Sequence, residues 1–150
     1  MTTDSVRVST IVRTSPDTAF ALFTAGIDAW WRRTSRHRSA PAASIVRFQD
    51  DRLVEVSDEG STELGRVLAW EPGNRLVLAW QGPHWAPAEH TEVEITFEPE
   101  SDATRVTVEH RGWADVPTGS AAAAVIGLWW GDLLAGYTYR AAHAGQPAQR

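Results

Sequence analysis

The sequence predicts an α+β domain: a curved antiparallel sheet of about six or seven strands wrapped around one long C-terminal helix, with two short helices after the first strand. Three observations carry this. Strand-like segments run consecutively from residue 45 to residue 110, while the helical segments stand apart at the two ends of the chain. Residues 92–98 and 105–110 alternate apolar and polar side chains, the mark of a sheet with one dry and one wet face. Residues 120–143 read as a helix whose apolar side carries Ile126, Trp129, Trp130, Leu133 and Tyr137. Leu134 and Ala141 flank that side; Gly131, Ala135 and Thr138 lie roughly opposite. Each indole buries about 150–250 Å², several kcal/mol at about 25 cal/mol per Å², so this helix needs a large apolar platform. The dry face of the sheet is that platform.

Residues 6–12 alternate, with Val6, Val8, Thr10 and Val12 on one face and Arg7, Ser9, Ile11 and Arg13 on the other. Ser15-Pro16-Asp17 then starts a helix: a hydroxyl N-cap, a proline at the first helical position and an acid at the positive end of the dipole. It runs through Phe20 and Phe23 and stops at Ala25-Gly26, and a second short helix carries Ile27 to Trp31. Residues 32–43 are basic, then rich in serine, proline and alanine, and read as a loop. Strands follow at 45–49 and 52–57 across Asp50-Asp51, and at 61–70 after a turn at 58–60. Glu71-Pro72-Gly73-Asn74 is a strong turn into a strand at 75–81. A wide proline-bearing loop at 82–87 precedes the final hairpin. Thr118 or Ser120 can cap the last helix, and its Gly127, Gly131 and Gly136 answer the close approach of a neighbouring surface, room for a ligand or, equally, loose local packing. Residues 1–150 read as a single domain with a frayed tail from about 144.

Composition narrows the function. The net charge is −5 with no basic tail, which argues against nucleic acid as a partner. No apolar run is long enough for a membrane span and the N-terminus lacks a secretory core, so a cytoplasmic location is expected. The chain has no cysteine, and all 14 basic residues are arginine, which removes thiolate and lysine Schiff-base chemistry. The distinctive feature is eight tryptophans, four of them in adjacent pairs.

The candidate ligand-binding residues are Phe23, Trp31, Trp80, Trp85, His110, Trp113, Ile126, Trp129, Leu133 and Tyr137. Aromatic walls suit a flat apolar ligand by area and by offset stacking, although rings are more often simply core. Trp80 shares a strand face with Leu76 and Leu78, and Trp113 follows the inward set Val106, Val108 and His110. An inward His110 needs hydrogen-bond partners; it could orient a ligand oxygen or serve as a general acid or base. It is the one weak catalytic candidate, because no nucleophile elbow, phosphate loop or dinucleotide fingerprint is present and no cofactor is implied. His84, Glu89, His90 and Glu92 fit no standard metal spacing, so no metal is expected; His84 and Trp85 suit a flap at a cavity mouth. Arg32, Arg33, Arg36, His37 and Arg38 read as a solvated loop or a cationic rim behind Trp30-Trp31. Asp132 lies near the edge of the apolar helix face, where it could meet an arginine or a polar ligand group.

The segments SPDTAFALF with Trp30-Trp31, GRVLAWEPGNRLVLAW at 65–80, TEVEITFEP from Thr91 and TRVTVEHRGW ending at Trp113 resemble the START-like, or SRPBCC, superfamily. Within it, the chain is similar to the group of activator of heat-shock-protein-90 ATPase homologues. The resemblance implies the helix-grip fold of the birch pollen allergen and a cavity between sheet and C-terminal helix. The expected function is therefore binding of a small hydrophobic or amphipathic ligand in that cavity. The alternatives are a cyclase- or hydrolase-type enzyme using His110, with Tyr137 as a partner, and a protein-interaction module. A homodimer is compatible with the resemblance. A chaperone partner is not expected, because the eukaryotic activator has an additional N-terminal domain that these 150 residues do not contain.

Overall fold

The computed structural model describes residues 5–31, 45–57, 60–80, 91–113 and 119–143, with side chains in the last helix from Trp130 onward. The expected loops at 32–43 and 82–87, the tail from 144 and most of the 58–60 turn lie outside the described residues.

Strand β1 (Ser5–Val12) leads into helix α1 (Pro16–Thr24), which begins as the sequence dictates. Ser15 is extended, and its hydroxyl accepts from the Thr18 N–H at 3.2 Å. Helix α2 (Ile27–Trp31) follows at once. Its Asp28 accepts a hydrogen bond from the Val46 N–H at 2.9 Å, which ties the helix to strand β2 (Ile45–Gln49). The meander continues through β3 (Arg52–Ser57), β4 (Gly60–Glu71), β5 (Arg75–Trp80), β6 (Thr91–Glu100) and β7 (Ala103–Arg111), and helix α3 (Gly119–Ala142) closes the chain.

The seven strands form one curved, unclosed antiparallel sheet in the order β1-β7-β6-β5-β4-β3-β2. The first strand pairs with the last, so α1 and α2 carry the chain from one edge of the sheet to the other. Register places Val8 opposite Val108, Ile95 opposite Val108 from the other side, and Leu78 opposite Val93. These residues, with Leu76, Phe97 and Val106, make the dry concave face, and the helices cover it. The opposite face is an ionic ladder: Arg111 meets Glu92, Glu94 and Glu109, and Arg75 meets Glu71 and Glu94.

Two details depart from the sequence reading. The buried arc of α3 is broader than one apolar stripe. Trp130, Leu133, Leu134 and Tyr137 are buried, and Thr138 is half-buried with its Oγ1 2.7 Å from that of Thr10 on β1. Gly131 is not a site of close approach, because a Cβ there would meet nothing within 4 Å.

Candidate functional site

His110 is the centre of a buried aromatic cluster at one end of the concave face. It lies near the end of β7 and is 0% exposed. The Trp130 indole N–H donates to its Nδ1 at 3.1 Å. An indole can only donate, so Nδ1 accepts and the ring proton belongs on Nε2. Nε2 then donates to the Thr91 hydroxyl at 2.5 Å, on the first residue of β6. Burial pushes the imidazole down to about 3, so it is neutral at physiological pH. Among the described residues no buried side-chain nitrogen or oxygen lacks a partner.

Trp113 folds back over this histidine. Its ring centroid is 4.4 Å from that of the imidazole, and its indole N–H donates to the His110 carbonyl at 3.0 Å. The fold-back passes through Gly112 at φ +94°, a conformation that a side chain at this position would strain. On the other side stand Trp80, Trp31 and Trp130. Their centroids are 5.8 Å (Trp80–Trp130), 6.3 Å (Trp31–Trp80) and 6.4 Å (Trp31–Trp130) apart, and all three pairs are tilted or edge-on. Trp80 lies directly across from Gly65 on β4, where a Cβ would stand 3.5 Å from the indole and 3.0 Å from the Ala79 carbonyl. The missing side chain lets the Ala79 carbonyl approach this position closely.

Trp31 ends α2, Trp80 ends β5, and Trp113 stands two residues beyond the end of β7. The cluster therefore sits where three connections leave the sheet and the helix pair.

Not all predicted site residues join this group. Phe23 and Tyr137 belong to a second aromatic column, with Trp30 at 4.9 Å from Phe23 and 5.4 Å from Tyr137. The Tyr137 hydroxyl donates to the Ala19 carbonyl at 2.9 Å, and burial raises its pKa above the ordinary value. Tyr137 is seven residues beyond Trp130, about 10 Å along the helix axis, so it does not pair with His110. Leu133 is fully buried in the core. Trp85, the His84–Glu89–His90 group, the arginines of 32–38 and the side chains of Ile126 and Trp129 lie outside the described residues. Among the described residues no group of three or more potential ligands could hold a metal ion, and no helix is long and apolar enough to cross a membrane.

The sequence pattern does not point to Trp130 as a site residue, although it places Trp130 on the apolar side of the helix. Nor does it point to Thr91, whose position at the head of an inward-facing strand was the available signal. Glu55, on β3 opposite Val46, is a buried carboxylate that it did not single out.

The sequence matches, over residues 13–136, the family model described as activator of Hsp90 ATPase homolog 1-like protein. No match was found among curated proteins. Among solved structures, the chain is similar to protein MLL2253 from Mesorhizobium loti, at 19% identity and a TM-score of 0.67, covering 95% of this chain and 99% of that one. It is also similar to CalC, a self-sacrificing resistance protein from Micromonospora echinospora, at 22% identity and a TM-score of 0.67, covering 97% and 98%. A third is the Aha1 dimer from Colwellia psychrerythraea, at 13% identity and a TM-score of 0.63, covering 96% and 100%. At these identities the likeness shows the fold.

Proposed function

The chain belongs to the activator of Hsp90 ATPase homolog 1-like family, and from that premise we propose that it binds a small, flat hydrophobic or amphipathic ligand between the sheet and α3. The observation that carries this reading is the tryptophan cluster around His110. Trp31, Trp80 and Trp130 meet at interplanar angles of 39°, 57° and 86°, so none of these pairs stacks face to face. An aromatic or polycyclic guest that enters among them gains the offset stacking that these pairs do not make with one another. The described rings touch, so entry parts them at the end where the three connections leave.

The arrangement favours binding over turnover. His110 is neutral, its lone pair is taken by Trp130 and its proton by Thr91, which leaves no ring nitrogen to move a substrate proton. Its role in this reading is to hold the Trp130 and Trp113 indoles in position. A cytoplasmic location and association with a second copy are subsidiary parts of the proposal. The second is prompted by the Colwellia neighbour's dimer, and a single monomeric species in sedimentation would remove it.

The test is a titration of the ¹⁵N-labelled chain with dodecanoate, naringenin and 1-anilinonaphthalene-8-sulfonate, following the indole N–H signals of Trp80 and Trp130. At least one probe is expected to give saturable shifts and a raised melting temperature. Trp80→Leu should weaken that binding about tenfold, the scale of one lost ring contact. If no probe moves those signals, and native mass spectrometry of the purified chain shows no bound small molecule, the reading fails.

A further inference from the structure

A hollow lies at the other end of the sheet, away from His110. Four residues before Trp80 on β5, about 13 Å back along the strand, Leu76 pairs with Trp70 of β4. A bulge between Val67 and Ala69 turns Trp70 onto the concave side, where its ring meets Phe20 edge-on at 5.3 Å and Phe48 at 5.4 Å. Yet Trp70 remains 44% exposed, because it borders a hollow of about 280 Å³. Phe48, Gln49, Asp50, Asp51, Val67 and Trp70 line it.

The mouth is unusual in its charge. Asp50 and Asp51 form the β2–β3 turn at φ 53° and 61°, and the Asp51 carbonyl accepts from the Val67 N–H at 2.8 Å. The turn is thereby fixed to the bulge and the hollow has a built wall. Two positive φ angles ask for asparagine and glycine, and nothing in the turn geometry asks for two adjacent like charges. Elsewhere on the sheet, Glu63, Glu71, Glu92, Glu94, Glu100 and Glu109 all meet arginines. Among the described residues neither Asp50 nor Asp51 has an ion pair or a side-chain hydrogen bond.

We propose that this hollow is a binding site for a small organic cation with a flat apolar body, such as a benzylic or aryl ammonium compound. The cationic head sits at the two carboxylates and over the exposed indole face, where cation–π attraction adds to the charge pairing. The apolar body lies against Phe48 and Val67. The site is independent of the ligand proposed for the His110 cluster.

The probe is benzyltrimethylammonium chloride, titrated into the ¹⁵N-labelled full chain, with benzyl alcohol and benzenesulfonate as neutral and anionic counterparts. The cation should give a saturating shift of the Trp70 indole N–H and of the Asp50 and Asp51 amides, with the Trp80 and Trp130 signals unmoved. Asp50→Asn with Asp51→Asn keeps the turn, since asparagine tolerates positive φ, and should weaken binding at least about fivefold. Added sodium chloride should weaken it in the same direction. The proposal is overturned if Trp70 does not shift saturably, if benzyl alcohol binds as well as the cation, or if the double asparagine variant binds unchanged. Signals of Trp80 and Trp130 report on the other site, so failure of one proposal is distinguishable from failure of the other.

Discussion

His110 shows how one side chain can be legible in a sequence while its chemistry is not. Strand parity places it on the inner face, and the structure puts it there with no exposure. Its partners come from other segments: Thr91 from β6 and Trp130 from α3. No local pattern reports such pairings. The same limit explains the helix residue assigned to the site. Trp129 and Trp130 are about 100° apart around a helix, and periodicity alone does not choose which one reaches the sheet. The structure brings Trp130 to His110, and the Trp129 side chain lies outside the described residues. Burial of this histidine has a measurable consequence. In the unfolded chain its imidazole titrates at its ordinary 6.5, and in the fold burial holds it down to about 3. Between those values the unfolded chain takes up a proton that the native ring refuses. Stability is therefore complete above 6.5 and falls on acidification, by about 1.4 kcal/mol for each pH unit that this one proton controls. Glu94 and Glu100, whose carboxyls are held below their ordinary 4.5, act in the same direction only at lower pH. Among the described residues whose titration is shifted, His110 alone acts in the interval from about pH 6.5 to about pH 5. Urea-unfolding midpoints should fall across it in the native chain. His110→Asn retains an acceptor for Trp130 and does not titrate; it should be less stable at neutral pH but lose less stability across that interval than the native chain. Equal slopes for the two proteins would mean that the imidazole is not buried in its neutral form.

Strand β4 marks the boundary of what a period-two pattern can tell. Residues 61–70 read as a strand, and the structure extends it to Gly60–Glu71. The alternation breaks between Val67 and Ala69, where the register shifts by one. A bulge costs one unpaired residue and leaves little trace in composition, so the inward turn of Trp70 was not legible. By contrast, β2 and β3 fall where the sequence places them, Ile45–Gln49 and Arg52–Ser57, because a two-residue Asp-Asp turn fixes the register between them. Gly65 is the other informative point of β4, opposite Trp80. Gly65→Ala gains about 0.5–1 kcal/mol from the reduced freedom of the unfolded chain. It also presses a methyl group to 3.0 Å from the Ala79 carbonyl and 3.5 Å from the Trp80 ring. The carbonyl belongs to the paired strand and cannot swing aside, so overpacking of about 1–3 kcal/mol wins. The variant should unfold at lower urea than the native chain, and its Trp80 indole signal should move while that of Trp70 stays. A rise in stability would show that β4 and β5 separate more easily than their register implies.

At the scale of the whole molecule, the fold depends on joining its two ends. Strand β1 supplies an edge of the sheet, and α3, formed more than a hundred residues later, rests on it. The sequence shows that the helix needs an apolar platform, but not which strand carries it, because that choice is made by sheet order and curvature. The polar contact within this junction has a defined direction. The Thr138 hydroxyl donates its single proton to the Leu134 carbonyl at 2.7 Å. The 2.7 Å contact between the two threonine hydroxyls is then donated by Thr10. The two deletions are therefore not equivalent. Thr138→Val leaves the Thr10 proton without an acceptor at a partly buried site, and should cost about 1–2 kcal/mol. Thr10→Val leaves Thr138 bonded to Leu134 and should cost less, about 0.5 kcal/mol or nearly nothing. In the double variant the stranded proton is gone and two methyl groups face each other, so the combined loss should be smaller than the sum of the single losses by about 0.5–1 kcal/mol. Urea unfolding of the four proteins closes the cycle. Additive losses would mean that β1 and α3 are held by their apolar neighbours alone. Reversed asymmetry would mean that the proton runs the other way, from helix to strand.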